Sequence, residues 1–285
     1  MSREQDPTEV TPGAVEVLGE MSWVDVVACT ERTPLVVVPV GAVEQHGPHL
    51  PLLVDSIVVE ALAHEVSRRT GVAIAPTVHY SSSQGHSSVF PGTVALAPST
   101  AQSLLEDIGR WLASAGFPKV FLLNGHLGNT GVLWNAVDEL VAALSPEVSV
   151  AGRSWWDLSP ELWAEVTSDT PGARSEFHAN WAETCLMLHL RPDLVRMDRA
   201  VDQEESPWAF AYDMSRKSAS GSVGRRVTQA TAEDGRRLFE HAATVLTGVV
   251  AQMLAEEPPP AVPPDVRAWR ADSAARFAGD GDRRR

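Results

Sequence analysis

Three short segments of this chain carry acidic and imidazole side chains whose types and spacing suit a metal ion. The first is Glu44-Gln45-His46-Gly47-Pro48-His49, followed by Asp55. Carboxylates mixed with neutral imidazoles are the donor set suited to Zn²⁺, Mn²⁺ or Fe²⁺. A Glu and a His this close on a loop can face one cleft, and a carboxylate arriving from the first turn of the next helix can bridge two ions. Taken alone, the same residues also read as an Asp helix cap beside a surface His and Glu. The second segment, Asn124-Gly125-His126-Leu127-Gly128-Asn129, sets a His directly after an apolar run, with glycines that allow a tight turn and close backbone approach. The third, Glu176-Phe177-His178-Ala179-Asn180-Trp181-Ala182-Glu183-Thr184, puts His178 just before a helix and Glu183 in its first or second turn. Glu183 keeps company with Trp181, Ala182, Leu186 and Met187. A carboxylate buried there is costly without a strong partner, either a metal ion or an arginine such as Arg174 or Arg191.

Other residues are candidates for holding substrate. His79, Gln84 and His86 belong to or flank a Ser-rich loop over 81–88 that ends at Phe90-Pro91-Gly92-Thr93, and Trp155-Trp156-Asp157 follows a further apolar segment. The tryptophan pair reads equally as a wall against water and as core. His64, His189 and His241 fall within helical patterns and are read as structural.

The elements that must position these groups follow from periodicity. Residues 35–40 are too apolar and β-branched for a surface helix and read as a buried strand. Residues 72–79, 119–123 and 148–152 read as further strands, and 56–69, 100–115 and 131–144 as helices with apolar residues three and four apart. Such alternation predicts an α/β fold with a mostly parallel sheet covered on both faces, whose ligands collect at the C-terminal strand ends. Segments 14–20 and 22–28 read as short helices, or a helix and a turn. A helix is expected over 181–190, and a long one over 232–255, after the Thr231-x-x-Asp234 start signal. Residues 201–227 lack periodicity, and their Glu204, Glu205, Trp208, Tyr212 and Arg216 are candidates to set specificity, either within a subunit or across an interface.

The 285 residues suit one catalytic domain over 14–255, between a polar, flexible leader (1–13) and a Pro-rich, disordered tail (256–285) that is either neutral or docks a partner. Hydrophobic content of 44% is ample for a core, and no apolar run approaches the roughly 20 residues of a membrane helix. The opening residues lack a secretory pattern, so a cytoplasmic location is expected. Cys29 and Cys185 lie outside any paired spacing and are expected to be reduced. A formal net charge of -14 opposes nucleic-acid and anionic-membrane binding and favours a small-molecule ligand, with part of the charge open to neutralisation by cations.

Together the segments resemble the creatininase family of metal-dependent amidohydrolases. The resemblance is carried by Pro39 to Pro51 with Asp55, Phe90-Pro91-Gly92-Thr93, Asn124 to Asn129, His178-Ala179, Glu183-Thr184 and a Gly-rich region over 221–235. It implies a three-layer α/β/α sandwich, two divalent ions per chain (Zn²⁺ with Zn²⁺, Mn²⁺ or Fe²⁺) and a homo-oligomer up to a hexamer. Carried over by position, Glu44, His46, Asp55, His126 and Glu183 match metal ligands, with Asp55 bridging. His178 takes a general acid/base role, and His86, Leu127, Trp155, Trp156 and Phe177 contact substrate. The implied reaction is attack of a metal-bridging hydroxide on the C–N amide bond of a lactam, cyclic amide or formamide. A peptidase trimming a ribosomally made cofactor precursor, as in mycofactocin maturation, is a second reading. A catalytically silent binding subunit is a third. Creatininase itself has a glutamate ligand where this chain has Gly128, so a substrate other than creatinine is expected. Leu127 and Cys185 depart from a frequent Gly and Ser without removing a ligand.

Overall fold

The computed structural model describes residues 15–87, 89–170, 177–203 and 212–259. The expected leader, Arg174, Glu176, Glu204, Glu205, Trp208 and most of the expected tail lie outside the described residues. The chain separates into Met1–Ala255 and Glu256–Arg285, and every element below lies in the first unit.

In chain order the elements are strand β1 (Glu16–Val17), helix α1 (Trp23–Arg32), β2 (Leu35–Val40), α2 (Val54–Thr70), β3 (Ala73–Ile74), α3 (Gln84–Ser87), α4 (Pro98–Ser114), β4 (Lys119–Asn124), α5 (Thr130–Ala143), β5 (Ser149–Ser154), α6 (Pro160–Val166), α7 (Trp181–Leu190), α8 (Met214–Lys217) and α9 (Ala232–Ala255). The five strands form one parallel sheet in the order β1-β3-β2-β4-β5. The continuous apolar character of β2 has a simple cause, because both its faces are covered. Leu35 and Val37 enter one core with residues of α2, α7 and α9, whereas Val36, Val38 and Val40 enter another with residues of α4 and α5. Phe121 and Leu123 of β4 alternate with Val120 and Leu122 in the same way.

After β2 the chain crosses through α2 to β3 on one side. It then passes over the opposite face through α4 and adds β4 on the other side of β2. Strand order therefore reverses at β2 and β4, the crevice where an open α/β sheet collects ligands. Register brings the two strands to an end together, Val40 opposite Asn124. The loops carrying Glu44 and His126 thus leave the sheet side by side.

Two expectations are corrected. The strand expected over 72–79 is only Ala73–Ile74, with a separate bridge from Val78 to Val40; Pro76, which has no N–H to give a ladder, lies between them. The segment expected to be helical over 14–20 is so only at its end: Glu16–Val17 pairs with Ala73–Ile74 as an edge strand, ahead of a 3₁₀ turn over Leu18–Glu20, whereas the helix expected over 22–28 is present as α1.

The terminal helix α9 qualifies a third expectation. Its best window has a mean hydropathy of 1.3, so by length and composition alone it could cross a membrane. Here it packs against α7 and α2, burying Gly235, Leu238, Ala242, Ala243, Leu246 and Val250, and its first turn carries Glu233 and Asp234. That is the pattern of an amphipathic helix with one face on the core.

Candidate metal centre

Three elements deliver the acidic and imidazole side chains to the sheet edge. The loop after β2 carries Glu44 and His46, α2 brings Asp55 in its first turn, and the loop after β4 brings His126. Close backbone packing sets the approach. A Cβ on Gly41 would fall 2.6 Å from the Ser56 Cα, and one on Gly125 would fall 2.6 Å from the Asp55 carbonyl oxygen, so both glycines let the start of α2 enter the site. Asn129 ties the loops by donating from Nδ2 to the Gly41 carbonyl (3.1 Å) and to Asn124 Oδ1 (3.2 Å).

The fourth contribution comes from the start of α7. Asn180 caps that helix by accepting from the Glu183 N–H (3.1 Å), and its own Nδ2 donates to the buried Asp169 carboxylate (3.0 Å). Ala179, between His178 and the cap, has φ 49°, a left-handed backbone that an L-alanine adopts at some cost. This turn lets His178 and Glu183 reach the same cleft.

The resulting cluster is almost fully buried. Glu44 is 0% and His46 1% exposed. His46 Nε2 lies 3.3 Å from Asp55 Oδ1 and 3.9 Å from Glu183 Oε1. His126 Nδ1 lies 3.1 Å from Asp55 Oδ2, and its Nε2 lies 3.0 Å from Glu44 Oε2. Backbone carbonyls fix the tautomers. His46 Nδ1–H donates to the Glu44 carbonyl (3.1 Å) and His126 Nε2–H to that of Ser82 (2.9 Å), so that in the neutral, ion-binding form of each ring it is the other nitrogen, facing the carboxylates, that carries the lone pair. Both Glu44 oxygens, Asp55 Oδ2, Glu183 Oε2 and His46 Nε2 are buried without a hydrogen bond. Stranding so many polar atoms would be costly for a site meant to hold nothing. Donor sets Glu44–Asp55–His126 and His46–His178–Glu183 each gather within 4.8 Å. The residues present fit divalent ions.

Glu183 does not take an arginine partner in the described residues: Arg191 pairs with Asp193 at 2.7 Å instead. Burial, reinforced by the Asp55 and Glu44 charges and only partly offset by His46, pushes the Glu183 carboxyl up to about 7. Burial opposes charge on His46, yet Asp55, Glu183 and Glu44 hold its imidazolium to about 10; Glu44 and Asp55 likewise overcome burial and raise His126 to about 9. A raised folded value stabilises the protonated fold below the unfolded value and loses that contribution as pH rises through the folded value. Metal-free protein should therefore melt at progressively lower temperature between pH 7 and 10. Thermal melts after chelation check this, and a flat or rising Tm across that interval would refute it.

A cleft of about 290 Å³ opens onto the cluster, lined by Glu44, Asp55, His126, His178 and Glu183 together with His86, Leu127, Trp156 and Phe177. Trp155 departs from its expected role at the wall. It is buried behind Trp156, edge-on at 5.7 Å, among core residues. His79 and Asp157 are exposed outside the cleft. Ser82 and Ser83 of the Ser-rich loop line it as well, and sequence reasoning gave no role to Met214 or Lys217, which also do, nor to Gln45, whose polar atoms touch five residues. Gln45 accepts from His178 Nε2–H through its carbonyl (2.7 Å), while its Nε2 lies 2.9 Å from both His86 Nδ1 and the Gly221 carbonyl. Its position between Glu44 and His46 was the available signal. His49, by contrast, is structural: it bonds Thr184 Oγ1 (2.9 Å), and burial with the His46 charge lowers it to about 4.

Comparison with known proteins adds an independent line. The family model described as creatininase, creatinine amidohydrolase, matches residues 19–250. Creatinine amidohydrolase of Pseudomonas putida is 31% identical over 258 residues, covering 85% of this chain and 97% of that protein. The mycofactocin precursor peptide peptidase of Mycolicibacterium smegmatis is 35% identical over 217 residues, covering 72% and 80%. Solved creatininases described as Mn and as a Zn-Zn type variant each superpose with a TM-score of 0.75 at 28% identity, covering 85% of this chain and 100% of theirs.

Proposed function

The chain belongs to the creatininase family of metal-dependent amidohydrolases, and from that premise we propose that it hydrolyses the non-peptide C–N amide bond of a small polar metabolite with two divalent ions. The observation that carries the reading is the set of buried, unpartnered donor atoms on Glu44, Asp55 and Glu183, which line one cleft, together with that of His46 against Asp55. Glu44, Asp55 and His126 would hold one ion; His46, Asp55 and Glu183 the other. When bound, Zn²⁺, Mn²⁺ or Fe²⁺ supplies Lewis acidity and lowers the pKa of water toward about 7.

The remaining chemistry belongs to the chain. Burial, with His46 and His86 nearby, keeps the His178 imidazolium unfavourable, so the ring is neutral at pH 7. Its Nε2–H is committed to the Gln45 carbonyl, which leaves the Nδ1 lone pair 3.5 Å from Glu44 Oε1 at the cleft. Nδ1 takes the proton of the attacking water and returns it to the departing amide nitrogen as the C–O bond forms and the C–N bond breaks. Trp156 and Phe177, edge-on at 5.4 Å, give the cleft an apolar wall.

A second reading, peptide trimming, is favoured by the 35% identity to the mycofactocin precursor peptidase. The cleft of about 290 Å³ fits a small cyclic amide or formamide better than an extended peptide. The reading extends to a homo-oligomer, supported by the exposed Trp23, Trp111 and Trp134.

Elemental analysis of protein purified without chelator or added metal tests the proposal. About two transition-metal ions per chain, falling toward one in Glu183→Ala, is the expected result. Trace metal even after Zn²⁺ or Mn²⁺ is supplied would overturn it. Turnover of cyclic amides and formamides against precursor-like peptides then separates the two substrate classes.

A further inference from the structure

We propose that His86, through Nδ1, is a further ligand of the ion held by Glu44. Three imidazoles surround the two oxygens of that carboxylate. His126 Nε2 stands 3.0 Å from Oε2, His86 Nδ1 2.8 Å from Oε1, and His178 Nδ1 3.5 Å from Oε1. Two of the three have other work: His126 Nε2–H is engaged by the Ser82 carbonyl while its Nδ1 faces Asp55, and His178 Nδ1 moves protons. His86 Nδ1 meets, besides Glu44, the side-chain amide of Gln45, which also donates to the Gly221 carbonyl (2.9 Å) and keeps that acceptor when an ion takes the ring.

His86 Nδ1 lies within hydrogen-bond distance of Glu44 Oε1, a fully buried oxygen of the acidic cluster. Its other neighbour is the Gln45 side chain. Gln45 Nε2 approaches His86 Nδ1 at 2.9 Å, and an amide nitrogen can only donate, so Nδ1 carries a lone pair. That nitrogen and the Glu44 carboxylate oxygen, both donors suited to a divalent ion, sit 2.8 Å apart where the two residues line the cleft. Glu44, His86 and His178 also form a third donor group within 4.8 Å, overlapping the first at Glu44.

The backbone explains why this donor comes from the Ser-rich loop. A Cβ on Gly128 would collide with the His126 ring and fall 2.8 Å from the Ser82 carbonyl oxygen, so the turn after β4 has no room for a side chain that could add a ligand. The segment filling that space is Ser82-Ser83, bonded to His126 Nε2 at 2.9 and 3.1 Å, and it leads straight into α3, which carries His86. The packing that closes the β4 side thus brings an imidazole in from another direction.

This inference rests on the metal-dependent reading above, and its test separates the two. Metal-free wild type, His86→Ala and His86→Gln are titrated with Zn²⁺ against a chromophoric chelator, and their Co²⁺ forms are compared by visible absorption. Thermal melts of the metal-free proteins verify folding, with His86→Gln carrying the comparison if the Ala variant melts early. The expected result is a loss of about 10- to 100-fold or more in affinity for one of two ions, the other unchanged, with an altered Co²⁺ spectrum. Unchanged affinities and spectrum, with only KM raised, would make His86 a substrate contact and overturn the inference while leaving the metal-dependent reading intact. A wild type that binds neither ion overturns both.

Discussion

Asp55→Ala protein is expected to retain at most one tightly held ion and to lose at least about 1,000-fold in turnover, since acidified water and carbonyl polarisation disappear together. Asp55 is the carboxylate that faces both halves of the centre, with Oδ1 3.3 Å from His46 Nε2 and Oδ2 3.1 Å from His126 Nδ1. It is 3% exposed, and despite burial the two imidazoles hold its carboxyl well below the usual carboxylate range. No described neighbour can substitute for a donor that reaches in both directions. Elemental analysis and kcat are the direct checks, with Asp55→Asn as the variant that keeps the shape and removes the charge. Two ions and ordinary turnover in either variant would mean that Asp55 joins nothing, and the paired assignment of Glu44–His126 and His46–Glu183 would fall with it.

The reason Asp55 was legible from sequence is that its position depends on local rules. An apolar run long enough to be a strand, a loop holding Glu44 and His46, and a helix starting at the next carboxylate leave little freedom, and the structure keeps that order. His126 and Glu183 were legible for the same reason: each directly follows, or lies in the first turn of, an element with clear periodicity. What sequence could not show depends on contacts between distant segments. The commitment of Gln45 to His178, 133 positions away, follows no pattern along the chain. Trp155 and Trp156 are adjacent and identical in type, yet one faces the cleft and the other the core. The short β3 shows a different limit, because β-branched and apolar residues around Pro76 satisfied a strand pattern while the proline withheld the ladder bond. Lys217 entered the cleft wall from a region without periodicity, where composition offers no register at all.

His178→Ala separates proton transfer from ion binding, because His178 also belongs to a donor group with His46 and Glu183. If the ring acts as acid and base, kcat falls by about 10²- to 10⁴-fold while both ions remain, and KM changes little. If it is a ligand, the ion count or Zn²⁺ affinity falls together with turnover. The geometry favours the first outcome: His46 Nε2 approaches Asp55 and Glu183, whereas the His178 ring stacks beside it with centroids 4.4 Å apart and turns its Nδ1 to the cleft. The buried ring is held neutral, and the Gln45 carbonyl, accepting at 2.7 Å, keeps the proton on Nε2 so that Nδ1 is the atom free to exchange one. Added imidazole should restore part of the lost kcat in His178→Ala, since a diffusing base can occupy the vacated space without rebuilding the metal centre. Normal turnover in the variant, or loss of an ion from it, would remove His178 from the proton path and leave hydrolysis to groups outside the ring.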